Sequence, residues 1–113
     1  MKNWSLIYAD FRVPRLSPLY DVVFTTPYIN GDGLALNMAN TKNWKEMNFS
    51  HFEHWAKKVG VPWPAIRAHL LDVLEKARQL WPEMLKDLPM LEEHKALLIK
   101  HWTTMHQDFQ INT

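Results

Sequence analysis

A chain of 113 residues is one domain with a modest core, and 13 basic against 12 acidic side chains leave a formal net charge of +1, which excludes a polyelectrolyte partner as the basis of function. No basic run suits nucleic acid, so direct nucleic-acid binding is not expected. Cysteine is absent, which excludes disulfides and zinc–thiolate sites. No apolar run approaches the roughly 18 residues of a membrane span and the N-terminus does not read as a signal peptide, so the expectation is a cytoplasmic protein with no membrane partner.

In chain order, the first informative stretch is Lys2 to Asp21. The short apolar runs on either side of a turn through Asp10 to Pro14 read as two strands of a small hairpin. Such a hairpin brings Asn3, just before its first strand, close to Asp21, just after its second. A carboxamide and a carboxylate held together can share a hard cation such as magnesium, which takes oxygen ligands and keeps several waters or phosphate oxygens. Val22 to Ile29 is apolar and broken by Pro27, which disfavours helix at Thr26. Asn30-Gly31-Asp32-Gly33 marks a turn; it lacks the acidic spacing and distant Glu of a calcium loop. Leu34 to Met38 is expected as a short strand, and Ala39 to Met47 as a surface loop around Trp44.

From Asn48 the pattern is helical. Ser50-His51-Phe52-Glu53 reads as a capping box, and Phe52, Trp55, Ala56 and Val59 share one apolar face before Gly60 stops the helix. Pro64 suits the first turn of a second helix, whose stripe is Ile66, Leu70, Val73, Leu74, Ala77 and Trp81. Pro82 is expected to kink or restart it, leaving a short piece through Leu88 that ends at Pro89. The last helix is expected from about Met90 to Phe109, with Glu92 and Glu93 favouring its N-terminal dipole and Ile111-Asn112-Thr113 frayed. His51 and His54 share a face of the first helix, as do His94 and His101 on the last. Their spacing matches no zinc motif, so they read as structural or solvent-exposed side chains.

Three features carry a family resemblance: the Lys2-Asn3-Trp4-Ser5-Leu6 start, the Arg15-Leu16-Ser17-Pro18-Leu19-Tyr20-Asp21 box in place of the usual Asp-Phe-Gly, and Gly33-Leu34-Ala35-Leu36 followed by Trp44. Together they resemble the C-terminal lobe of HipA-type serine/threonine kinases, the toxin subunits of bacterial toxin–antitoxin pairs. In kinases a catalytic-loop Asn and an Asp after the next hairpin hold the metal ions that bridge the nucleotide phosphates. The resemblance therefore implies Asn3 and Asp21 as ligands of magnesium and, through it, of ATP. It implies no catalytic residue here, because the family's general-base Asp lies five residues before the position of Asn3. The glycine-rich phosphate loop and nucleotide-anchoring lysine belong to the N-terminal lobe, so metal and nucleotide binding by residues 1–113 alone are expected to be weak or absent.

The expected fold is thus α+β and predominantly α: a small N-terminal hairpin and one extra short strand packed on a bundle of three or four helices, a kinase C-lobe-like domain over residues 1–113. The expected function is the C-terminal part of a HipA-like kinase, inactive in isolation; the alternative is a non-catalytic binding module or a subunit of a split kinase. Partners implied by the resemblance are the kinase N-terminal part or an antitoxin-type protein. An open strand edge beside Trp4, Ile7, Tyr8 and Leu19 is a template for pairing, so a homodimer is also expected.

Overall fold

Asp10 opens the turn of the hairpin. Its Oδ1 accepts the backbone N–H groups of Arg12 (3.1 Å) and Val13 (2.9 Å), and Phe11 between them takes a left-handed φ of 61°. A short carboxylate that satisfies the backbone locally is the usual device for such a reversal. The turn joins β1 (Leu6–Tyr8) to β2 (Pro14–Leu16), which pair antiparallel with Leu6 opposite Leu16, Ile7 opposite Arg15 and Tyr8 opposite Pro14. Both strands are solvent-exposed along their whole length. This computed structural model describes residues 3–113, and the chain divides into two units, residues 1–30 with the hairpin and residues 31–113 with the helices.

The expected strand at Leu34 to Met38 does not form. Met38 instead exchanges two backbone hydrogen bonds with Thr41 (2.9 and 3.1 Å) around Ala39 and Asn40, whose φ values are 47° and 71°. Two consecutive positive φ values fold the chain back on itself after a single bridge, in the manner of a two-residue hairpin turn. Leu34 N–H also bonds Lys42 O (2.8 Å), and Gly33 sits so close to that carbonyl that an added Cβ would lie 2.6 Å from it. Thr41 is buried, donates to Glu46 Oε2 (2.8 Å) and accepts from Asn43 N–H (3.1 Å), which closes the loop over Met47.

Helix α1 (Phe49–Val59) is capped by Asn48, two residues before the expected Ser50. Asn48, in extended conformation, accepts Ser50 N–H on Oδ1 (2.9 Å), and its own N–H is taken by His51 Nδ1 (3.2 Å). The imidazole occupies the place of the Glu or Gln in a capping box, so Ser50 and Glu53 do not form one. Gly60 ends the helix as expected, with φ 75° and Val61 N–H bonded to Ala56 O (2.9 Å).

Helix α2 (Trp63–Asp87) continues through Pro82 and does not restart there. Proline removes one amide donor and costs about 3 kcal/mol inside a helix. Beyond it the last turn is held by buried Leu85, by the Lys86–Glu83 pair (2.7 Å) and by Trp81, whose ring lies 6.0 Å from that of Trp102 and is tilted 35°. Helix α3 (Glu92–Thr104) is shorter than expected at both ends. Gln110 Nε2 donates to Thr103 O (3.2 Å) and Met105 O (3.0 Å), supplying the donors that the last carbonyls of a helix lack. The chain then turns back through a bond from Phe109 N–H to His106 O (2.8 Å).

The core of this unit joins Ala77 and Leu85 of α2, Trp102 of α3 and Ile111, with Met90, Leu98 and Ile99 packed against it. Ile111 was expected to fray, yet it is 3% exposed. Arg78 of α2 fixes the returning segment by donating to Gln110 O (2.9 Å) and Asp108 O (3.1 Å), and Asp108 Oδ2 accepts Phe49 N–H (2.9 Å) at the start of α1. Phe109 stacks edge-on against Phe49 and tilted against Phe52. The architecture is a small α+β fold, predominantly α, with a two-stranded antiparallel hairpin and three helices among the described residues. None of these helices is long and apolar enough to cross a membrane.

Candidate functional site

Asn3 and Asp21 flank the hairpin, and the fold brings them together. Asn3 Nδ2 donates to the backbone carbonyl of Asp21 at 3.3 Å, and both residues hold left-handed φ angles, 61° and 53°. Asn and Asp tolerate that region better than other side-chain-bearing residues because their short polar groups bond locally. The orientation matters chemically. With Nδ2 committed to the Asp21 carbonyl, the carboxamide oxygen of Asn3 and the carboxylate of Asp21 have no hydrogen-bond or ion-pair partner among the described residues.

A second side-chain pair lies beside them: Ser5 Oγ and Tyr20 OH are 2.7 Å apart, a separation of full hydrogen-bonding strength. The sequence reading used both residues as motif letters without a role. The strand register sets Ser5 opposite Ser17 rather than Tyr20, so no local signal in the sequence points to this pair.

The histidines do not assemble into a centre. Among the described residues no group of three His, Cys, Asp or Glu side chains is placed to hold a metal. His51 caps α1, and His106 Nδ1 lies 3.3 Å from Asp108 Oδ2. His101 meets the Trp44 ring edge-on at 6.1 Å, and burial, with Lys45 nearby, lowers its pKa below the ordinary 6.5.

Magnesium is the group expected here from the sequence, and the residues present can be weighed against it. Two uncommitted hard oxygens, one amide and one carboxylate, fit a cation that takes one or two protein ligands and completes its octahedron with water and phosphate. In protein kinases a catalytic-loop Asn and an Asp further along the C-terminal lobe hold the metal ions. The chain belongs to the HipA-like C-terminal domain family, whose pattern it matches over residues 1–81.

Two proteins of Sinorhizobium fredii (strain NBRC 101917 / NGR234) are similar to it. "Putative kinase Y4dM" is 40% identical over 106 residues, covering 93% of this chain and 26% of that protein. "Putative kinase Y4mE" is 26% identical over 87 residues, covering 76% of this chain and 20% of that protein. The chain thus spans about a quarter or less of the length of these relatives. No solved structure matches it.

Proposed function

We propose that this chain is the C-terminal, metal-holding part of a HipA-like serine/threonine kinase, with Asn3 and Asp21 as ligands of magnesium and, through it, of ATP. The observation that carries the reading is the Asn3–Asp21 contact at 3.3 Å inside a chain of this family. Asn3 and Asp21 would hold the metal through their oxygens, and the chemistry it would supply there is neutralisation of negative charge on the nucleotide phosphates. The chain's own contribution is to bring the two residues together: the Asn3 amide is oriented by the bond that its Nδ2 donates to the Asp21 carbonyl.

Residues 1–113 hold no glycine-rich phosphate loop and no assigned general base. The base alone is worth roughly 10²- to 10⁴-fold in rate. The 113-residue polypeptide by itself is therefore expected to transfer no phosphate and to hydrolyse no ATP above background. Radiolabelled phosphate transfer that survives purification and disappears in Asp21→Ala would overturn that expectation. The ligand assignment has its own measurement. Magnesium titrated into the ¹⁵N-labelled chain should shift the Asn3 side-chain and Asp21 resonances, with the response abolished in Asp21→Ala; unmoved resonances at millimolar magnesium would end the metal reading.

A second reading, a binding module or split-kinase subunit of a toxin–antitoxin pair, is favoured by the hairpin's exposure. Phe11 is 94% and Val22 77% exposed, and Leu6, Ile7, Tyr8, Leu16 and Leu19 are open to solvent as well. Apolar side chains beside an unpaired strand edge suit pairing with another polypeptide. That partner is a kinase N-terminal part, an antitoxin-type protein or a second copy of the chain, and the cytoplasm is the compartment this function requires.

A further inference from the structure

The hairpin's register and its flanks do not agree. Continued unchanged beyond Leu6 opposite Leu16, the ladder reaches Ser5 opposite Ser17, and Ser17 N–H indeed bonds Ser5 O at 2.8 Å. Two residues further, past Trp4 opposite Pro18, it would set Asn3 opposite Leu19, but Asn3 meets Asp21 instead, two residues on. Pro18 would stand opposite Trp4 at a non-hydrogen-bonded position of the ladder, and beyond the Ser17–Ser5 bond no backbone hydrogen bond joins the two flanks among the described residues. Ser17 Oγ turns to the Pro18 carbonyl (3.1 Å), so that carbonyl is bonded within its own strand. Between the last backbone bond and the Asn3–Asp21 contact, the described link across the two flanks is the 2.7 Å hydroxyl pair of Ser5 and Tyr20.

We propose that the Ser5–Tyr20 hydroxyl pair is a latch that takes up this slack and sets Asn3 against Asp21, making Ser5 and Tyr20 positioning residues for the metal–phosphate site. The inference rests on the proposed function for its consequence, though the latch itself does not. Tyr20 directly precedes Asp21 and Ser5 lies two residues after Asn3, so anchoring the one to the other fixes both ligands within a few bonds. The phenol ring is a stiff spacer that ends in a hydroxyl, which suits it to span a gap that a shorter side chain would leave open. Both residues face solvent, where a neutral hydrogen bond shifts an equilibrium by about threefold to tenfold. Ligands that are positioned for only part of the time bind their cation more weakly in proportion.

The test uses the full ¹⁵N-labelled chain with Mn²⁺ alone as the probe, read by paramagnetic broadening of the Asn3 side-chain amide. The nuclear Overhauser effect between that amide and Asp21 Hα is a metal-free readout, and the Leu6–Leu16 cross-strand effects report whether the hairpin is intact. Tyr20→Phe and Ser5→Ala should each weaken Mn²⁺ binding about threefold to tenfold, and the double variant should be no weaker than either single one. Ser5→Thr, which keeps the hydroxyl, should restore binding. In Tyr20→Phe the Asn3–Asp21 effect should fall while the Leu6–Leu16 effects persist. An Asn3–Asp21 effect that survives in Tyr20→Phe overturns the latch whatever the metal does. A wild-type chain that binds no Mn²⁺ but loses this effect in Tyr20→Phe counts against the metal reading and supports the latch.

Discussion

The Asp10 carboxylate and the His101 imidazole titrate in opposite ranges but respond to acid in the same direction. Bonds from Val13 and Arg12 N–H hold the Asp10 carboxyl below its ordinary 3.8, so what they contribute to the hairpin is present above that value and is lost as pH falls through the lowered one. The Arg12 and Val13 amide resonances should move together in that acid range, and Asp10→Ala should abolish the transition; amides that titrate unchanged in the variant would refute the assignment. His101 is favoured in its neutral form by burial first and by Lys45 second. Its depressed pKa means that the stability it contributes is complete above 6.5 and declines as pH falls below that value through the lowered one. Thermal midpoints of the wild type should therefore fall on acidification from pH 6.5, with a shallower slope in His101→Gln; parallel slopes would remove His101 as the cause.

At the scale of elements, the start of α1 separates two adjacent polar residues with different work. Asn48→Ala should cost about 1 kcal/mol, the usual worth of a side-chain cap, whereas Ser50→Ala should cost distinctly less, as read by urea denaturation. Equal losses would contradict the cap assignment. Ile111→Ala should destabilise by about 2–5 kcal/mol, because it deletes buried methylenes from the cluster formed with Ala77, Leu85 and Trp102; a loss within a few tenths would mean that the terminal segment is not docked.

These elements also show where the sequence was readable. The hairpin and the Gly60 stop follow from turn chemistry, a local property; helical spacing finds the buried Ala56, Leu74 and Ala77, whereas Trp55, Val59, Val73 and Trp81 of the expected apolar faces are exposed. Asn48 was passed over because a histidine standing in for Glu hides the capping box. The helix through Pro82 and the docking of Ile111 depend on burial between segments remote in sequence, which no local window reports. The expected strand at Leu34 to Met38 failed for a local reason: Ala39-Asn40 can adopt two positive φ values, but Ala gives no warning of it. Asn3 and Asp21 were found from the hairpin and the motif together, whereas the Ser5–Tyr20 pair lies off the strand register and has no local signal.

For the molecule as a whole, the exposed apolar side chains of the hairpin outweigh what a two-stranded ribbon can shelter by itself, since an isolated hairpin is marginal in water. Self-association through this end, as a two-fold dimer, is the expected response. Light scattering at micromolar concentration should give twice the 13.4 kDa chain mass, reverting toward one chain when Ile7 and Leu19 are both replaced by Ser. A 13.4 kDa wild-type particle would assign the hairpin face to a different partner.

The Trp81–Trp102 pair gives the helical unit an optical identity of its own. Indole rings 6.0 Å apart and tilted 35° couple their electronic transitions, so this pair should contribute a near-ultraviolet circular dichroism band that vanishes when either ring is replaced. Trp102 is 8% exposed and should emit at shorter wavelength than Trp4 of the hairpin, which is 53% exposed. With the other four indoles replaced by Phe, emission from Trp102 and Trp4 can then follow the melting of the helices and the docking of a partner on the hairpin as two separate signals.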